Sequence, residues 1–232
     1  MKKQHDALGL SKTIVLASGK GGVGKSTLAR GLAGYWLSLG QSPAVVDADP
    51  QASILSLHDA QGPMGGVIVV ADPEVETISA TITDLQTRHG VVIVDTAGFR
   101  NQTTIAACVT ADVVLIPLKA AAEDVREAVA MLELIGELNG TPERRGRPIK
   151  VALVLTMVTP GTVIARQVRK ELERAGYPLL DAEVAQRVAF PELSMRGVAP
   201  SLVDPDGAAA RDIGRLATEL NALWRNADVK AA

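Results

Sequence analysis

The sequence predicts an α/β fold, in which a doubly wound, mainly parallel sheet is flanked by helices. Short apolar runs rich in valine and isoleucine alternate along the chain with longer segments of helical periodicity. Aromatic residues make up only 3% of the 232 residues, so aliphatic side chains supply most of the apolar content. Strands of a parallel sheet are buried on both faces, and this composition suits them.

Six apolar runs predict strands, and a seventh run with a weaker pattern lies near Leu180–Val184. The six are Thr13–Ala17, Ala44–Asp47, Val67–Val70, Val91–Asp95, Val113–Pro117 and Val151–Thr156. The predicted helices are Lys25–Leu39, Pro73–His89, Asn101–Thr110, Glu123–Leu138, Val163–Ala175 and Ala208–Arg225. Because helices separate most of the strands, we expect the strands to run parallel, with their carboxyl ends at one edge of the sheet.

A glycine-rich segment, Gly19–Thr27, joins the first predicted strand to the first predicted helix. Its sequence GKGGVGKST matches the phosphate-loop pattern G-x-x-x-x-G-K-[ST] and carries an additional lysine, Lys20. The glycines permit a path in which backbone N–H groups wrap around phosphate without obstruction by side chains. Lys25 is expected to reach the β- and γ-phosphates of a nucleoside triphosphate, and Ser26 to ligate Mg²⁺.

Three carboxylates follow predicted strands and are expected near this loop. Asp95 ends an apolar strand, and after a phosphate loop such an aspartate is expected to hold Mg²⁺ through a water. Asp47 and Asp49 point the same way if their strand continues, so that one can tether the structure while the other orients a water and is a second candidate metal ligand. The alternative for Asp49 and Pro50 is a turn that caps the following helix.

Charge and cysteine content narrow the class of protein. The chain has 24 Lys and Arg against 26 Asp and Glu, a net charge of −2, so any nucleic-acid contact has to come from a local basic patch. Cys108 is the only cysteine and has apolar neighbours, so we expect a small buried residue and a reducing, cytoplasmic environment.

We expect one domain over residues 13–226, a flexible N-terminal segment 1–12 without an apolar leader, and a tail over residues 227–232. The arginine-rich segment 141–148 is expected to be a solvated turn.

Three motifs together resemble the ParA/MinD family of deviant Walker ATPases: KGGVGKST at Lys20–Thr27, DADPQ at Asp47–Gln51 and VDTAG at Val94–Gly98. The resemblance extends from about residue 13 to residue 223 and includes VLTM at 154–157 and QRVAFPE at 186–192. It implies a P-loop ATPase that uses ATP and Mg²⁺ and has weak intrinsic activity. The residues implied to bind the nucleotide are Lys20, Gly21, Gly22, Val23, Gly24, Lys25, Ser26 and Thr27.

The resemblance also implies roles for individual residues, with Lys20, Lys25 and Asp49 as the catalytic ones. Lys20 would cross to the phosphates of the partner subunit in an ATP-sandwich homodimer, while Lys25 acts within its own subunit. Asp49 would position the attacking water. Because ATP and the dimer then stabilise each other, hydrolysis loosens the dimer, and a partner protein that stimulates hydrolysis would set its timing.

The last predicted helix, Ala208–Arg225, helps to distinguish the MinD-like branch of the family from the ParA-like branch. MinD-like members end in a basic amphipathic helix that lies on membranes. Here the polar face mixes acidic and basic residues, so we expect this helix to pack on the core, with Trp36 and Trp224, and to make no stable membrane contact.

ParA-like members bind nonspecific DNA as ATP-bound dimers, and two segments here are candidates for that contact. The helix Val163–Ala175 carries basic residues at helical spacing, and the later segment 186–196 resembles one that contributes to DNA contact in ParA proteins. The alternative is a salt-bridged surface helix, because acidic residues interleave with the basic ones. The predicted DNA contacts are Arg166, Arg169, Lys170, Arg187 and Arg196.

The resemblance therefore implies a nucleoid-associated ATPase for plasmid or chromosome partition, which works with a ParB-like or other cargo-adaptor protein. Two alternatives stay open. The same cycle could position another cargo, such as a carboxysome or a chemoreceptor cluster, or the protein could be a MinD-like division regulator at the membrane.

Overall fold

A computed structural model of the chain describes residues 11–98 and 101–228. Most of the predicted N-terminal segment, residues 1–10, and residues 229–232 of the predicted tail lie outside this description. The seven strands are β1 (Lys12–Leu16), β2 (Ala44–Ala48), β3 (Ile68–Ala71), β4 (Val91–Thr96), β5 (Val113–Leu118), β6 (Lys150–Val158) and β7 (Leu179–Ala185).

The strands form one sheet in the order β3-β2-β4-β1-β5-β6-β7, and every neighbouring pair is parallel. The doubly wound α/β prediction is confirmed, and the described sheet is parallel throughout rather than mainly parallel. The strand order reverses at β1, which lies between β4 and β5. Ligands of such sheets bind at this reversal, beyond the carboxyl ends of the strands.

Eight α-helices cover the sheet within the described ranges. They are α1 (Lys25–Ser38), α2 (Ile78–Gln86), α3 (Gln102–Thr110), α4 (Ala122–Asn139), α5 (Val163–Arg174), α6 (Ala189–Met195), α7 (Pro200–Val203) and α8 (Ala208–Asp228). Short 3₁₀ helices span Leu55–Leu57 and Pro142–Arg144. The short helices α6 and α7 were not among the predicted elements, because four to seven residues are too few to display a helical period.

Helix α2 begins five residues after its predicted start at Pro73. The side chain of Asp72 holds the intervening residues in a turn. Its Oδ1 accepts a hydrogen bond from the Thr77 hydroxyl at 2.7 Å, and its Oδ2 accepts one from the Thr81 hydroxyl at 2.5 Å. Such local side-chain hydrogen bonds compete with helical ones, and they delay the start of this helix.

The core consists of two apolar layers, one on each face of the sheet, because successive residues of a strand face opposite sides. Ile14 and Leu16 of β1 pack into the layer under α1 and α8, whereas Val15 packs into the layer under α2, α3, α4 and α5. Cys108 is completely buried in the second layer, as expected, and burial raises the pKa of its thiol to about 12.

Helices α1 and α8 are fixed against each other in the first layer. The rings of Trp36 and Trp224 lie 5.8 Å apart between their centroids, and both side chains are buried. The predicted core packing of α8 is confirmed: its apolar residues Ile213, Leu216 and Leu220 are fully buried. The side chain of Arg225 lies outside the described part. Of the helices that the structure describes, none combines the length and apolar character needed to cross a membrane.

The arginine-rich segment 141–148 differs from its prediction at one residue. Arg144 is buried, and its guanidinium donates hydrogen bonds to the carbonyl oxygens of Val109 at 3.1 Å and Ala111 at 2.7 Å. These carbonyls end α3 and would otherwise be unsatisfied in the interior. Arg145 and Arg147 are exposed, as expected.

Candidate active site

The phosphate loop lies at the carboxyl end of β1 and leads directly into α1. Gly22 and Gly24 have φ values of 69° and 95°, which side chains disfavour, and Gly24 is the N-cap of α1. Within residues 11–98 and 101–228, no side-chain cap accepts a hydrogen bond from the first N–H groups of α1. The helix therefore presents free N–H groups and its positive dipole end to the concave side of the loop, as an anion site requires.

Lys25 extends along this loop and is almost fully buried. Its Nζ donates a hydrogen bond to the Ser18 hydroxyl at 3.1 Å, and that hydroxyl donates to the Lys20 carbonyl at 2.8 Å. Burial lowers the pKa of Lys25, while the negative charges of Asp95 and Asp49 raise it. The ammonium group is thus held beside both carboxylates, at the edge where phosphate would bind.

Asp95 is a fully buried carboxylate whose two oxygens have no hydrogen-bond partner of good geometry among the described residues. It pairs in register with Asp47 across β4 and β2, so the two side chains lie on neighbouring strands. Burial raises the pKa of Asp95 to about 7, and the nearby Ser26 hydroxyl partly offsets this effect. The Ser26 hydroxyl is close enough to Asp95 to lower the pKa of the carboxylate. Even so, neither oxygen of Asp95 forms a hydrogen bond of good geometry with any of the described residues.

The residues at this point fit a magnesium ion. Mg²⁺ prefers oxygen ligands and keeps several waters, so one hydroxyl and one or two carboxylates suffice on the protein side. Ser26 and Asp95 supply such oxygens, and the unsatisfied oxygens of a buried carboxylate are what a cation would compensate.

In the absence of nucleotide and metal, we expect Asp95→Asn to raise the free energy of unfolding at pH 8 by about 3 kcal/mol. The folded-state pKa of about 7 lies above the ordinary value of 3.8, so the folded protein binds more protons between these pH values. The stability of the wild type therefore falls as the pH rises from about 4 to about 7, whereas asparagine cannot ionise.

Urea unfolding in EDTA at pH 5 and pH 8 measures this difference. The gain from Asp95→Asn should be larger at pH 8 than at pH 5. The exposed Asp84→Asn change serves as a control and should move the free energy by no more than about 0.5 kcal/mol. An Asp95→Asn protein no more stable than the wild type at pH 8 would contradict the conclusion that burial destabilises the ionised Asp95 carboxylate.

Asp47 and Asp49 lie in different environments at the end of β2, and the tethering role expected of one of them falls to Asp47. Asp47 is buried, and its Oδ2 accepts hydrogen bonds from the backbone N–H groups of Ile54 at 2.8 Å and Leu55 at 2.9 Å. Asp49 is half-buried, and its Oδ1 accepts the N–H of Gln51 at 2.9 Å. The predicted turn is thus present, and Asp49 also lies close enough to Lys25 to raise the pKa of that lysine.

Lys20 forms an ion pair within its own subunit that sequence reasoning missed. Its Nζ lies 3.3 Å from Oδ1 of Asp124 in the first turn of α4, and the side chain is 43% exposed while that of Asp124 is 7% exposed. Oδ2 of Asp124 accepts the N–H of Lys119 at 3.0 Å, which fixes the carboxylate. No local sequence pattern predicts this ion pair, because Lys20 and Asp124 are about a hundred positions apart.

A cavity of about 410 Å³ opens beside the phosphate loop. The loop and α1 line one side, and the other side consists of the ends of β6 and β7 and the start of α6. The hydroxyl of Thr156, at the end of β6, donates to the Val23 carbonyl of the loop at 2.9 Å. Two segments that carry the family resemblance, 154–157 and 186–192, therefore meet at this cavity. Its lining residues are Val23, Gly24, Thr27, Leu28, Thr156, Met157, Val184, Ala185, Gln186, Arg187, Val188, Phe190 and Pro191.

The structure separates the five predicted DNA contacts into two groups. Arg166 and Lys170 are exposed on α5 and line a shallow groove with Arg174, and Arg196 is exposed at the end of α6. Arg169 instead faces β7, where its Nε donates to Glu183 at 2.8 Å.

Arg187 is likewise engaged, because its guanidinium binds both oxygens of Asp212 at 2.7 and 3.0 Å. The bond to Asp212 raises the pKa of Arg187. The exposed basic row of α5 therefore consists of Arg166, Lys170 and Arg174. Arg169 and Arg187 lie outside this row, because carboxylates of the same chain bind their guanidinium groups. Arg169 also forms an ion pair of 3.4 Å with Glu173 on the next turn of α5, as the alternative of a salt-bridged helix anticipates. Glu183 and Asp212 lie 14 and 25 positions from their arginines, so the spacing on α5 alone does not indicate these two contacts.

Comparison with known proteins agrees with this geometry. The sequence model described as the CobQ/CobB/MinD/ParA nucleotide binding domain matches residues 14–200. Protein ParA from Rhizobium radiobacter is 30% identical over 186 residues, which span 79% of this chain and 82% of that protein. Maintenance of carboxysome distribution protein A from Halothiobacillus neapolitanus is 26% identical over 208 residues, or 86% of this chain and 91% of that protein.

The fold is also similar to that of a solved structure, the septum site-determining protein MinD from Pyrococcus horikoshii in complex with Mg-ADP. The TM-score is 0.71 at 14% identity, over 94% of this chain and 99% of that one. The family match covers most of the chain, and the structure brings the phosphate loop, Asp49 and Asp95 together at the carboxyl ends of the strands. The chain therefore belongs to the CobQ/CobB/MinD/ParA nucleotide-binding family, as an ATPase of the ParA/MinD type.

Proposed function

We propose that the protein binds ATP with Mg²⁺ and hydrolyses ATP slowly as a ParA-type switch. The observation that carries this proposal is the buried Asp95 carboxylate, near Lys25 at the open end of the phosphate loop, whose oxygens lack a partner of good hydrogen-bond geometry among the described residues. The N–H groups of the loop would bind the phosphates, and Lys25 would neutralise the β- and γ-phosphates. Ser26 and Asp95 would hold Mg²⁺, which supplies positive charge to the phosphates when bound.

The nucleoside would occupy the cavity beside the loop. Apolar residues predominate in its lining, and the volume of about 410 Å³ is in the range of small-molecule sites. Met157 and Phe190 offer apolar surface for a planar base, while the loop side leads directly to the phosphates. The MinD structure from Pyrococcus horikoshii, which has a similar fold, is a complex with Mg-ADP, and this supports nucleotide binding by the present chain.

Asp49 would orient the attacking water, and Lys20 would complete the site of a second copy. Phosphoryl transfer depends mainly on positioning and electrostatics, so a half-buried Asp49 that solvent reaches would position the water imperfectly, and hydrolysis would be slow. Lys20 is exposed enough to leave Asp124 and reach a partner subunit. An ATP-dependent homodimer follows, because the cation of one subunit compensates the phosphates bound to the other.

Nonspecific DNA would be the surface on which the dimer assembles. The basic row Arg166, Lys170 and Arg174 is exposed, and its members are separated by four residues each, so they follow one face of α5. A dimer doubles this row, and phosphate contacts need only charge. Arg196 adds an exposed cation on α6.

The double variant Arg166→Ala/Lys170→Ala is expected to bind a random-sequence duplex at least about tenfold more weakly in the presence of ATP. Each lost phosphate contact also reduces the slope of log affinity against log salt concentration by about 1 per subunit. Fluorescence anisotropy over a salt titration measures both quantities. The control is Arg88→Ala/Arg145→Ala, which removes two exposed arginines that lie outside α5, in the segments leading into β4 and β6. Equal losses in the two double variants would contradict the assignment of α5.

Partition of a plasmid or chromosome is the use that we favour, with a ParB-like adaptor that stimulates hydrolysis. The ParA relative from Rhizobium radiobacter supports it, while the carboxysome-distribution relative supports the alternative of another cargo moved by the same cycle. Such a protein would be cytoplasmic and associated with the nucleoid. A membrane role like that of MinD is not favoured, since the apolar face of α8 packs in the core.

A further inference from the structure

Arg30 is a buried cation near the site that the proposed mechanism does not use. It lies on α1, five residues after Lys25, and is 5% exposed. Among the described residues, no carboxylate forms an ion pair with its guanidinium, and its hydrogen-bond partners are a carbonyl and a hydroxyl. Burial of an arginine costs free energy unless its N–H donors form hydrogen bonds. The two hydrogen bonds of Arg30 therefore show which parts of the chain the buried guanidinium holds.

The first contact fixes the segment that carries Asp49. Nη2 of Arg30 donates to the Ser53 carbonyl at 3.2 Å. The N–H of the same peptide group belongs to Ile54 and donates to Asp47 at 2.8 Å. One peptide group is thus held on both sides, by a cation on α1 and by a carboxylate at the end of β2.

This peptide group lies four residues after Asp49, in a tight and strained segment. The N–H of Ala52 donates to the Asp49 carbonyl at 2.8 Å, and Ala52 has a φ of 48°, which is unusual for a residue with a Cβ. A strained conformation persists only when its surroundings hold it in place. The contact with Arg30 is one of the few that hold this segment from outside.

The second contact joins the same guanidinium to α6. Nη1 of Arg30 donates to the Ser194 hydroxyl at 2.5 Å. The end of α6 also packs directly on the chain that follows the Asp49 segment, because a Cβ at Gly197 would lie 1.9 Å from the Leu57 carbonyl oxygen. Phe190 and Pro191, at the start of α6, line the cavity beside the phosphate loop.

We propose that Arg30 is a positioning residue for ATP hydrolysis, which couples the placement of α6 to the placement of Asp49 through Ser194 and the Ser53 carbonyl. The proposal rests on the proposed role of Asp49. Arg30 does not touch the reacting atoms: it acts by holding the segment 49–55 against α1, with α6 as the second support. Loss of the α6 contact therefore loosens the Asp49 segment while the phosphate loop stays intact.

Ser194→Ala tests the proposal with little risk to folding, because it removes one hydroxyl from a half-buried position. We expect kcat for ATP hydrolysis to fall about fivefold, the effect of one lost hydrogen bond, with KM within twofold of the wild type. Hydrogen exchange should become faster in segment 49–57 and stay unchanged in α8. Arg30→Lys should show both effects more strongly, since lysine keeps the charge but cannot span both partners.

The matched control is Ser38→Ala, which removes an exposed serine hydroxyl from the far end of α1. It should change neither kcat nor exchange. If Ser194→Ala leaves either kcat or the exchange of segment 49–57 at the wild-type value, the proposal is overturned. If the wild type hydrolyses no ATP, the proposed function fails, and the exchange of segment 49–57 alone decides whether Ser194 and Arg30 support that segment.

Discussion

Asp49→Ala is expected to reduce ATP hydrolysis about a hundredfold while ATP binding stays within about threefold of the wild type. Asp49 lies outside the phosphate loop, so its loss should spare the N–H groups and Lys25, which bind the phosphates. What it removes is the carboxylate that would orient the attacking water next to Lys25. The ATP-bound dimer should consequently live longer. Single-turnover hydrolysis and binding of a fluorescent ATP analogue separate the two effects.

The competing explanation is that Asp49 serves only as a turn residue, since its Oδ1 accepts the N–H of Gln51 at 2.9 Å. Two variants decide between these explanations. Asp49→Asn keeps an acceptor for the turn but loses the charge, so it should hydrolyse as poorly as the alanine variant. Asp59→Ala removes an exposed aspartate that accepts the N–H of Gln61 at 2.8 Å in the same type of turn, and it should hydrolyse normally. Wild-type turnover by Asp49→Asn would leave only the structural role.

Lys20→Ala is expected to weaken ATP-dependent dimerisation at least about thirtyfold while nucleotide still binds to the monomer. In the proposed dimer Lys20 is the cation that faces the partner's phosphates, and its removal leaves those charges uncompensated in a buried interface. Binding within the subunit relies on the loop N–H groups and Lys25, which this substitution does not touch. Analytical ultracentrifugation with a non-hydrolysable ATP analogue gives the dimer affinity directly.

The ion pair with Asp124 adds a check on the same assignment. Asp124 holds Lys20 at 3.3 Å within the isolated subunit, and this contact has to break before Lys20 can reach a partner. Arg88→Ala removes an exposed cation at the opposite edge of the sheet and should leave dimerisation unchanged. A Lys20→Ala protein that dimerises with ATP as well as the wild type would remove the role given to Lys20.

The sheet and the phosphate-binding edge could be predicted from the sequence because their signals are local. The run Val91–Val94 is apolar throughout and leads into Asp95, and the predicted strand Val91–Asp95 corresponds to β4 within one residue. The phosphate loop and the aspartates that follow β2 and β4 lie at strand ends, so the parallel sheet alone brings them to one edge.

The remaining features depend on contacts between distant parts of the chain. Arg169 and Arg187 are charged residues of a type that usually lies free on the surface, but Glu183 and Asp212 bind their guanidinium groups. Lys20 and Asp124 are about a hundred positions apart, and Arg30 and Ser194 are 164 positions apart. Arg30 itself could have been found, since a charged residue within an otherwise mostly apolar helix requires a buried partner.

The most direct test of the switch is binding to a random-sequence DNA duplex with ATP, with ADP and without nucleotide, each at low and moderate salt. The proposed cycle predicts binding with ATP alone, weakened by salt because phosphate contacts dominate. Equal binding in all three states would contradict a nucleotide switch. No binding in any state would exclude DNA as the surface, and co-sedimentation with liposomes in ATP would then test the MinD-like alternative.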